Sequence, residues 1–284
     1  MKLTDPKQIR ALLARHGFRF SKAMGQNFLI ADWVPQNIAD AAGLDPACGV
    51  VEIGPGIGSL TVELARRAGR VAAIELDRSL LPILAETLAG CPNVQVVQGD
   101  VIKLDLAALV AEQFDGLPVH ACANLPYNIT TPVVSKLLEC GLFGSITVMV
   151  QREVARRICA PPDSPDRGAF SLFCQYHAQC ELLFDVGPEC FLPAPKVTSS
   201  VVRLLPHQAP PVDVAPQALF PVVRAAFAQR RKTLLNALSA VYAPRFSKDQ
   251  LRQILAVCGL DESVRGERLS LERFACLAKH LEQT

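Results

Sequence analysis

No stretch of this 284-residue chain approaches the run of about 20 apolar residues that a transmembrane helix requires, and no apolar segment of signal-peptide type follows the N-terminus. Neither a membrane-bound nor a secreted protein is therefore expected. Cys-x-x-Cys spacing is also missing, because the ten cysteines are scattered. Cys174, His177 and Cys180 lie three apart, near one face of a helix, but no fourth ligand is close in sequence. Buried packing is the expectation there, with no metal. Without a secretory signal, all ten are expected as free thiols in a cytoplasmic protein. The chain has little net charge: 29 basic against 27 acidic residues leave +2. That balance hides an asymmetry. Residues 1–22 hold six basic residues and one acid, and the chain from Pro206 onward holds eleven basic against seven acidic. Two basic ends around a slightly acidic middle suit an anionic partner.

One further absence is informative. Gly54, Gly56 and Gly58 follow the short apolar run Cys48–Ile53, but a nicotinamide fingerprint would place its third glycine at position 59, where Ser59 stands. What is present, from Glu52 to Gly58, is E-x-G-x-G-x-G. The apolar run is long enough for a buried strand and too short for a helix. After the glycines, Leu60, Leu64 and Ala68 fall on one helical face. Arg70–Ile74 is a second buried strand, ending at Glu75 and Asp77. This βαβ unit has a close-approach loop and an acid about 20 residues on, the position from which a carboxylate holds ribose hydroxyls. The loop resembles the S-adenosylmethionine loop of class I methyltransferases.

Further strands are expected at Asn93–Val97, leading to Asp100, at Val119–Ala123, leading to Asn124, and at Ile146–Val150. Helices are expected between them. Residues 161–168, rich in turn formers, suggest a mobile lid. Ala169–Leu182 reads as a helix, and Leu183–Val186 with Thr198–Leu205 as an antiparallel pair. Prolines 206, 210, 211 and 216 mark a linker, followed by helices over Gln217–Val241, Lys248–Cys258 and Leu271–Glu282. The expected fold is α/β, a Rossmann-like sheet over residues 1–205, with a small all-helical domain over 206–284.

Asn124-Leu125-Pro126-Tyr127 is the stretch with the most specific chemistry. The exocyclic amine of adenine is a poor nucleophile, because its lone pair is conjugated into the ring. Two acceptors around the NH2 group hold it as the nitrogen pyramidalises: the Asn124 side-chain oxygen, and a backbone carbonyl made rigid by Pro126. Tyr127 offers a flat face for an extruded base. No strong base is needed, since the methylated amine is cationic and sheds its proton readily.

With Gly25-Gln26-Asn27-Phe28-Leu29, Phe191-Leu192-Pro193-Ala194-Pro195-Lys196-Val197 and Phe227–Leu234 added, the chain resembles the ribosomal RNA adenine dimethyltransferase family over nearly its whole length. The bacterial branch that it resembles dimethylates the N6 amines of two adjacent adenosines, in a hairpin loop near the 3′ end of 16S rRNA in the 30S particle, with a role in small-subunit biogenesis. The resemblance implies S-adenosylmethionine contacts at Asn27, Leu29 and Gly54. It implies ribose binding by Glu75, adenine binding by Asp100, and Asn124 between cofactor and base. Catalytic roles fall to Asn124, Leu125, Pro126 and Tyr127, with Phe191 as a second aromatic sandwiching the base. Arg230, Arg231 and Lys232 are expected to contact RNA of the 30S subunit or its precursor, and the protein is expected as a monomer. Two alternatives stand beside this reading. One is the antibiotic-resistance branch acting on large-subunit rRNA, and the other is a ribosome-assembly factor that binds RNA without catalysis.

Overall fold

The computed structural model describes residues 1–21, 25–229 and 231–282. In chain order the elements are α1 (Pro6–Arg15), β1 (Phe28–Leu29), α2 (Trp33–Ala41), β2 (Gly49–Ile53), α3 (Ser59–Ala65), β3 (Arg70–Glu75), α4 (Leu81–Thr87), β4 (Val94–Gln98), α5 (Leu106–Phe114), β5 (Val119–Asn124), α6 (Thr130–Glu139) and β6 (Phe143–Gln151). They continue with α7 (Arg152–Ile158), α8 (Ala169–His177), β7 (Ala178–Val186), β8 (Phe191–Leu192), β9 (Ser199–Pro206), α9 (Pro216–Ala228), α10 (Leu234–Tyr242), α11 (Lys248–Val257) and α12 (Leu271–Glu282). Among the described residues, no helix is long and apolar enough to cross a membrane. The chain divides into two compact units, Met1–Ala155 with Cys180–Pro206, and Arg156–Gln179 with the residues from His207 onward.

The first unit is built on a seven-stranded sheet of order β4-β3-β2-β5-β6-β9-β7. β4, β3, β2, β5 and β6 are mutually parallel, and β9 returns antiparallel to β6. A parallel sheet covered by crossover helices is buried on both faces, which is why β2 and β5 read as apolar runs rather than alternating ones. β2 is buried along its whole length. Register decides where the site falls: Ile53 pairs with Ile74 on one side and with Ala123 on the other. Glu75 and Asn124, one residue further along their strands, therefore emerge on either side of the β2 end at the carboxyl edge, where open α/β sheets bind ligands. A separate two-stranded ribbon pairs Phe28 with Leu192 and Leu29 with Phe191.

The second unit is helical. Leu219, Val222, Leu234, Leu238, Leu251, Leu255, Phe274 and Leu277 close its core. Residues 161–168, expected as a mobile lid, are instead tied down. Arg167 is 1% exposed and donates to the carbonyls of Ala160 at 2.6 Å and Leu269 at 3.2 Å. The Asp163 amide donates to the Glu267 carbonyl at 3.1 Å.

Three expectations need correction. The helix expected over Ala169–Leu182 ends at His177, and Ala178 onward is strand. The neighbouring β9 supplies ladder partners, and pairing overrides weak helical periodicity. Cys180 therefore leaves the helical face shared by Cys174 and His177, whose ring packs 4.7 Å from that of Phe173. The helix expected over Gln217–Val241 is two helices. Thr233 caps α10 by accepting from the Asn236 amide, and a capped start cannot also be a helix interior. Finally, Cys258 and Cys276 are joined in a disulfide, against the expectation of ten thiols. The partners are 18 residues apart in sequence, beyond the reach of local spacing.

Candidate active site

The floor of the site is the turn after β2. Gly54 has φ of 69° and its amide donates to the Ile74 carbonyl at 2.9 Å. Gly56 has φ of 60°, and a Cβ there would stand 3.2 Å from the Phe28 ring. The left-handed backbone favours glycine at both positions, and at Gly56 the nearby ring adds to it. The Gly56 amide donates to Glu75 Oε2 at 3.3 Å, and the Asp77 amide to Glu75 Oε1 at 2.8 Å. Glu75 is 6% exposed. Burial pushes its carboxyl pKa up, and the two amides hold it back. The carboxylate is thus aimed before any ligand arrives.

Beneath the turn lies Glu52, 1% exposed, with its Oε2 buried and without a hydrogen-bond partner among the described residues. Burial, reinforced by the Glu75 charge, pushes this carboxyl up to about 8. The Thr61 hydroxyl opposes the shift.

The N-terminal segment is stitched over this floor. Gln26 Nε2 donates to Asp77 Oδ2 at 2.7 Å, and Gln26 Oε1 accepts from the Ser21 amide at 3.2 Å. Asn27 Nδ2 donates to the Gly25 carbonyl at 3.1 Å. The Asn27 carbonyl in turn accepts from Asn124 Nδ2 at 3.2 Å. This last bond orients the Asn124 amide, leaving Oδ1 as an acceptor. Leu125 is buried, and its amide donates to the Met149 carbonyl at 3.1 Å. The Pro126 carbonyl is occupied within its own turn, accepting from the Ile129 amide at 3.2 Å and from Thr130 Oγ1 at 3.4 Å. Tyr127 shares a hydrogen bond of 2.8 Å with the Ser199 hydroxyl, and burial raises its phenol pKa. Beyond β4, Asp100 accepts from the Ile102 amide at 3.0 Å and lies 3.8 Å from Lys103 Nζ.

These groups line one open cleft of about 1130 Å³, its solvent-filled mouth included. Of the residues expected from sequence, it brings together Asn27, Leu29, Gly54, Glu75, Asp100, Asn124, Leu125, Pro126 and Tyr127. Phe191 does not line it. That side chain is 3% exposed and closed into the core with Leu29 and Cys190, because β8 pairs with β1 and turns the ring inward. Arg231 and Lys232 are exposed in the turn between α9 and α10 of the second unit, not on a helix, and Arg230 lies outside the described residues. Sequence reasoning missed Gln26, Ser199 and the burial of Glu52. Glu52 had a signal, since it opens the glycine motif inside an apolar run. Gln26 and Ser199 had none, for their partners are 51 and 72 residues away.

Comparison with known proteins agrees with this geometry. The family model for ribosomal RNA adenine dimethylase matches residues 17–280. The chain belongs to the ribosomal RNA adenine dimethylase family. It is 45% identical to the "Ribosomal RNA small subunit methyltransferase A" of Alkaliphilus oremlandii, over 99% of this chain and 98% of that one. The protein of the same name from Shouchella clausii is 44% identical, over 99% and 96%. Among solved structures, a dimethyladenosine transferase from Plasmodium falciparum superposes with a TM-score of 0.73 at 25% identity, covering 88% of this chain and 95% of that one. The 23S rRNA methyltransferase ErmE superposes with a TM-score of 0.70 at 26% identity, over 90% and 100%. As a ribosomal RNA adenine dimethylase, the protein is an S-adenosylmethionine-dependent rRNA methyltransferase, and the expected α/β sheet with a helical C-terminal part is the fold observed. The cleft fits such a cofactor: Glu75 and Asp100 on its wall are acceptors of the kind that ribose hydroxyls and an adenine amine require.

Proposed function

We propose that this ribosomal RNA adenine dimethylase modifies the N6 amines of two adjacent adenosines in a hairpin loop near the 3′ end of 16S rRNA, within the 30S particle or its precursor. The supporting observation is the 45% identity over 99% of the chain to a small-subunit methyltransferase, against 26% to a 23S enzyme. S-adenosylmethionine supplies an electrophilic methyl group. Glu75 holds the ribose hydroxyls, Asp100 the adenine amine, and Gly54 the amino-acid portion, while Asn27 and Leu29 close the N-terminal side. Asn124 Oδ1 and the Leu125 carbonyl accept from the two target N–H groups. Those hydrogen bonds strengthen as the nitrogen lone pair leaves the ring and positive charge grows, so they act on the transition state more than on the ground state.

Base stacking falls to Tyr127, which the Ser199 bond keeps in place. Phe191 acts as the wall behind the β1–β8 ribbon. Arg231 and Lys232, with Arg230, meet RNA phosphates. The test is incubation with labelled S-adenosylmethionine and undermethylated 30S particles, followed by mapping of the product. Two neighbouring N6,N6-dimethyladenosines near the 3′ end of 16S rRNA are expected. Label appearing only when large-subunit particles, which carry the 23S rRNA, are offered in parallel would establish the large-subunit reading, and tight RNA binding without label the non-catalytic one.

A further inference from the structure

The second unit carries a cluster that methyl transfer does not use. Cys258 is buried at the C-terminal end of α11, and Cys276 and His280 stand one turn apart on α12, so they share a face. The bonded cysteines have Cα atoms 5.8 Å apart. His280 Nδ1 lies 4.0 Å from Cys258 Sγ and 3.9 Å from Cys276 Sγ, and it is 2.9 Å from the Cys276 carbonyl. Among the described residues, no other group of three or more such side chains converges to metal-binding distance.

We propose that, once the disulfide is reduced, Cys258, Cys276 and His280 form a binding site for a thiophilic divalent cation, zinc in particular, that ties α11 to α12. The reduction is balanced by two equivalents of a small-molecule thiol. The S–S bond takes up two electrons and two protons to give two thiols, and the donors become their own disulfide. Binding one divalent cation then releases the two thiol protons, and a neutral His280 moves its proton from Nδ1, which donates to the Cys276 carbonyl, to Nε2, so that the Nδ1 lone pair is open to the metal.

The geometry fits. With metal–sulfur bonds of about 2.3 Å and metal–nitrogen bonds of about 2.05 Å, a tetrahedral centre puts sulfur and nitrogen about 3.6 Å apart and the two sulfurs about 3.8 Å apart. The sulfur–nitrogen separations already stand within a few tenths of an ångström of that edge. The sulfurs reach theirs by side-chain rotation, with the helices where they are. Two thiolates and one imidazole are a soft donor set that selects zinc over calcium or magnesium, and water takes the fourth position. Disulfide and metal exclude each other, since both consume the same sulfur electron pairs. The site is therefore gated by redox state.

The test uses the full chain, reduced with a phosphine and titrated anaerobically with cobalt(II) as a spectroscopic stand-in, then with zinc. Reduced wild type should bind one more equivalent of cobalt than Cys258→Ser/Cys276→Ser, with tetrahedral ligand-field bands and thiolate charge-transfer absorption that zinc abolishes. The other eight cysteines are present in both proteins and drop out of the difference. His280→Gln, which leaves both sulfurs in place, should weaken the site by at least about tenfold, the scale on which loss of one supporting group acts. Oxidised wild type should show no such site. Equal cobalt binding by reduced wild type and the double variant overturns the proposal, as does an unchanged affinity in His280→Gln.

Discussion

Glu52 and Glu75 of the first unit are 1% and 6% exposed, whereas Arg231 and Lys232 of the second stand on an open turn. The buried acids are held by main chain or left unpartnered in low dielectric, so each one matters singly and its ionisation is displaced. The exposed bases are solvated and screened, so each matters little and only their sum counts. A small, charged cofactor is recognised by the first arrangement, because desolvation has already been met on folding. A phosphodiester polymer is recognised by the second, because counterion release is additive along the backbone.

This contrast can be tested in order of expected size. Glu52 is the sharpest case. Its folded-state carboxyl, near pH 8, lies above the ordinary value of 4.5, so the folded protein binds the extra proton. Stability from this group is full below about pH 4.5 and is lost as pH rises towards 8, by on the order of 3–5 kcal/mol. Glu52→Gln in the absence of cofactor should flatten the pH dependence of chemical denaturation across that window. The same slope in both proteins would put Glu52 among the solvated acids.

Asn124→Ala should lower the single-turnover methylation rate roughly 10²–10³-fold, as removal of one preorganised transition-state partner does. RNA binding should change far less, because the basic turn is untouched. Glu75→Gln comes next. It halves the acceptor set and removes the charge, so calorimetric affinity for S-adenosylmethionine should fall by about 1.5–3 kcal/mol. An unchanged affinity would dissolve the comparison from the cofactor side. Smallest is the basic turn. Neutralising Arg230, Arg231 and Lys232 together should flatten the log–log salt dependence of RNA binding by about 2–3 units, at roughly 0.7–0.9 per phosphate, and leave cofactor affinity alone. An unaltered slope would make the turn a solvated surface only.

What could be read along the chain follows from how far each interaction reaches. Cys48–Ile53, the three glycines, the amphipathic stretch after them and Glu75 form a unit whose parts are all within about 30 residues. Periodicity, positive φ and strand-end acids therefore sufficed for that half of the cleft. Asn124 to Tyr127 was legible for the same reason: a strand end, a proline and an aromatic define a local geometry. The two expected boundaries that moved, at His177 and in the turn before Thr233, lie where helical periodicity is weak and a strand partner or a cap decides.

The sequence by itself therefore determined the α/β class, the glycine turn with its acid, and the chemistry available at Asn124, because those depend on residue type and short spacing. Only the tertiary structure decided that Gln26 pins the N-terminal segment to Asp77, that the Asn27 carbonyl turns the Asn124 amide, and that Phe191 faces the core rather than the cleft. It also decided that Glu52 is sealed beneath the loop and that Cys258, Cys276 and His280 meet. Each of these depends on strand register or helix packing between distant segments. A single-residue shift of register turns a strand's side chains to the opposite face, and nothing in local composition records which register is taken.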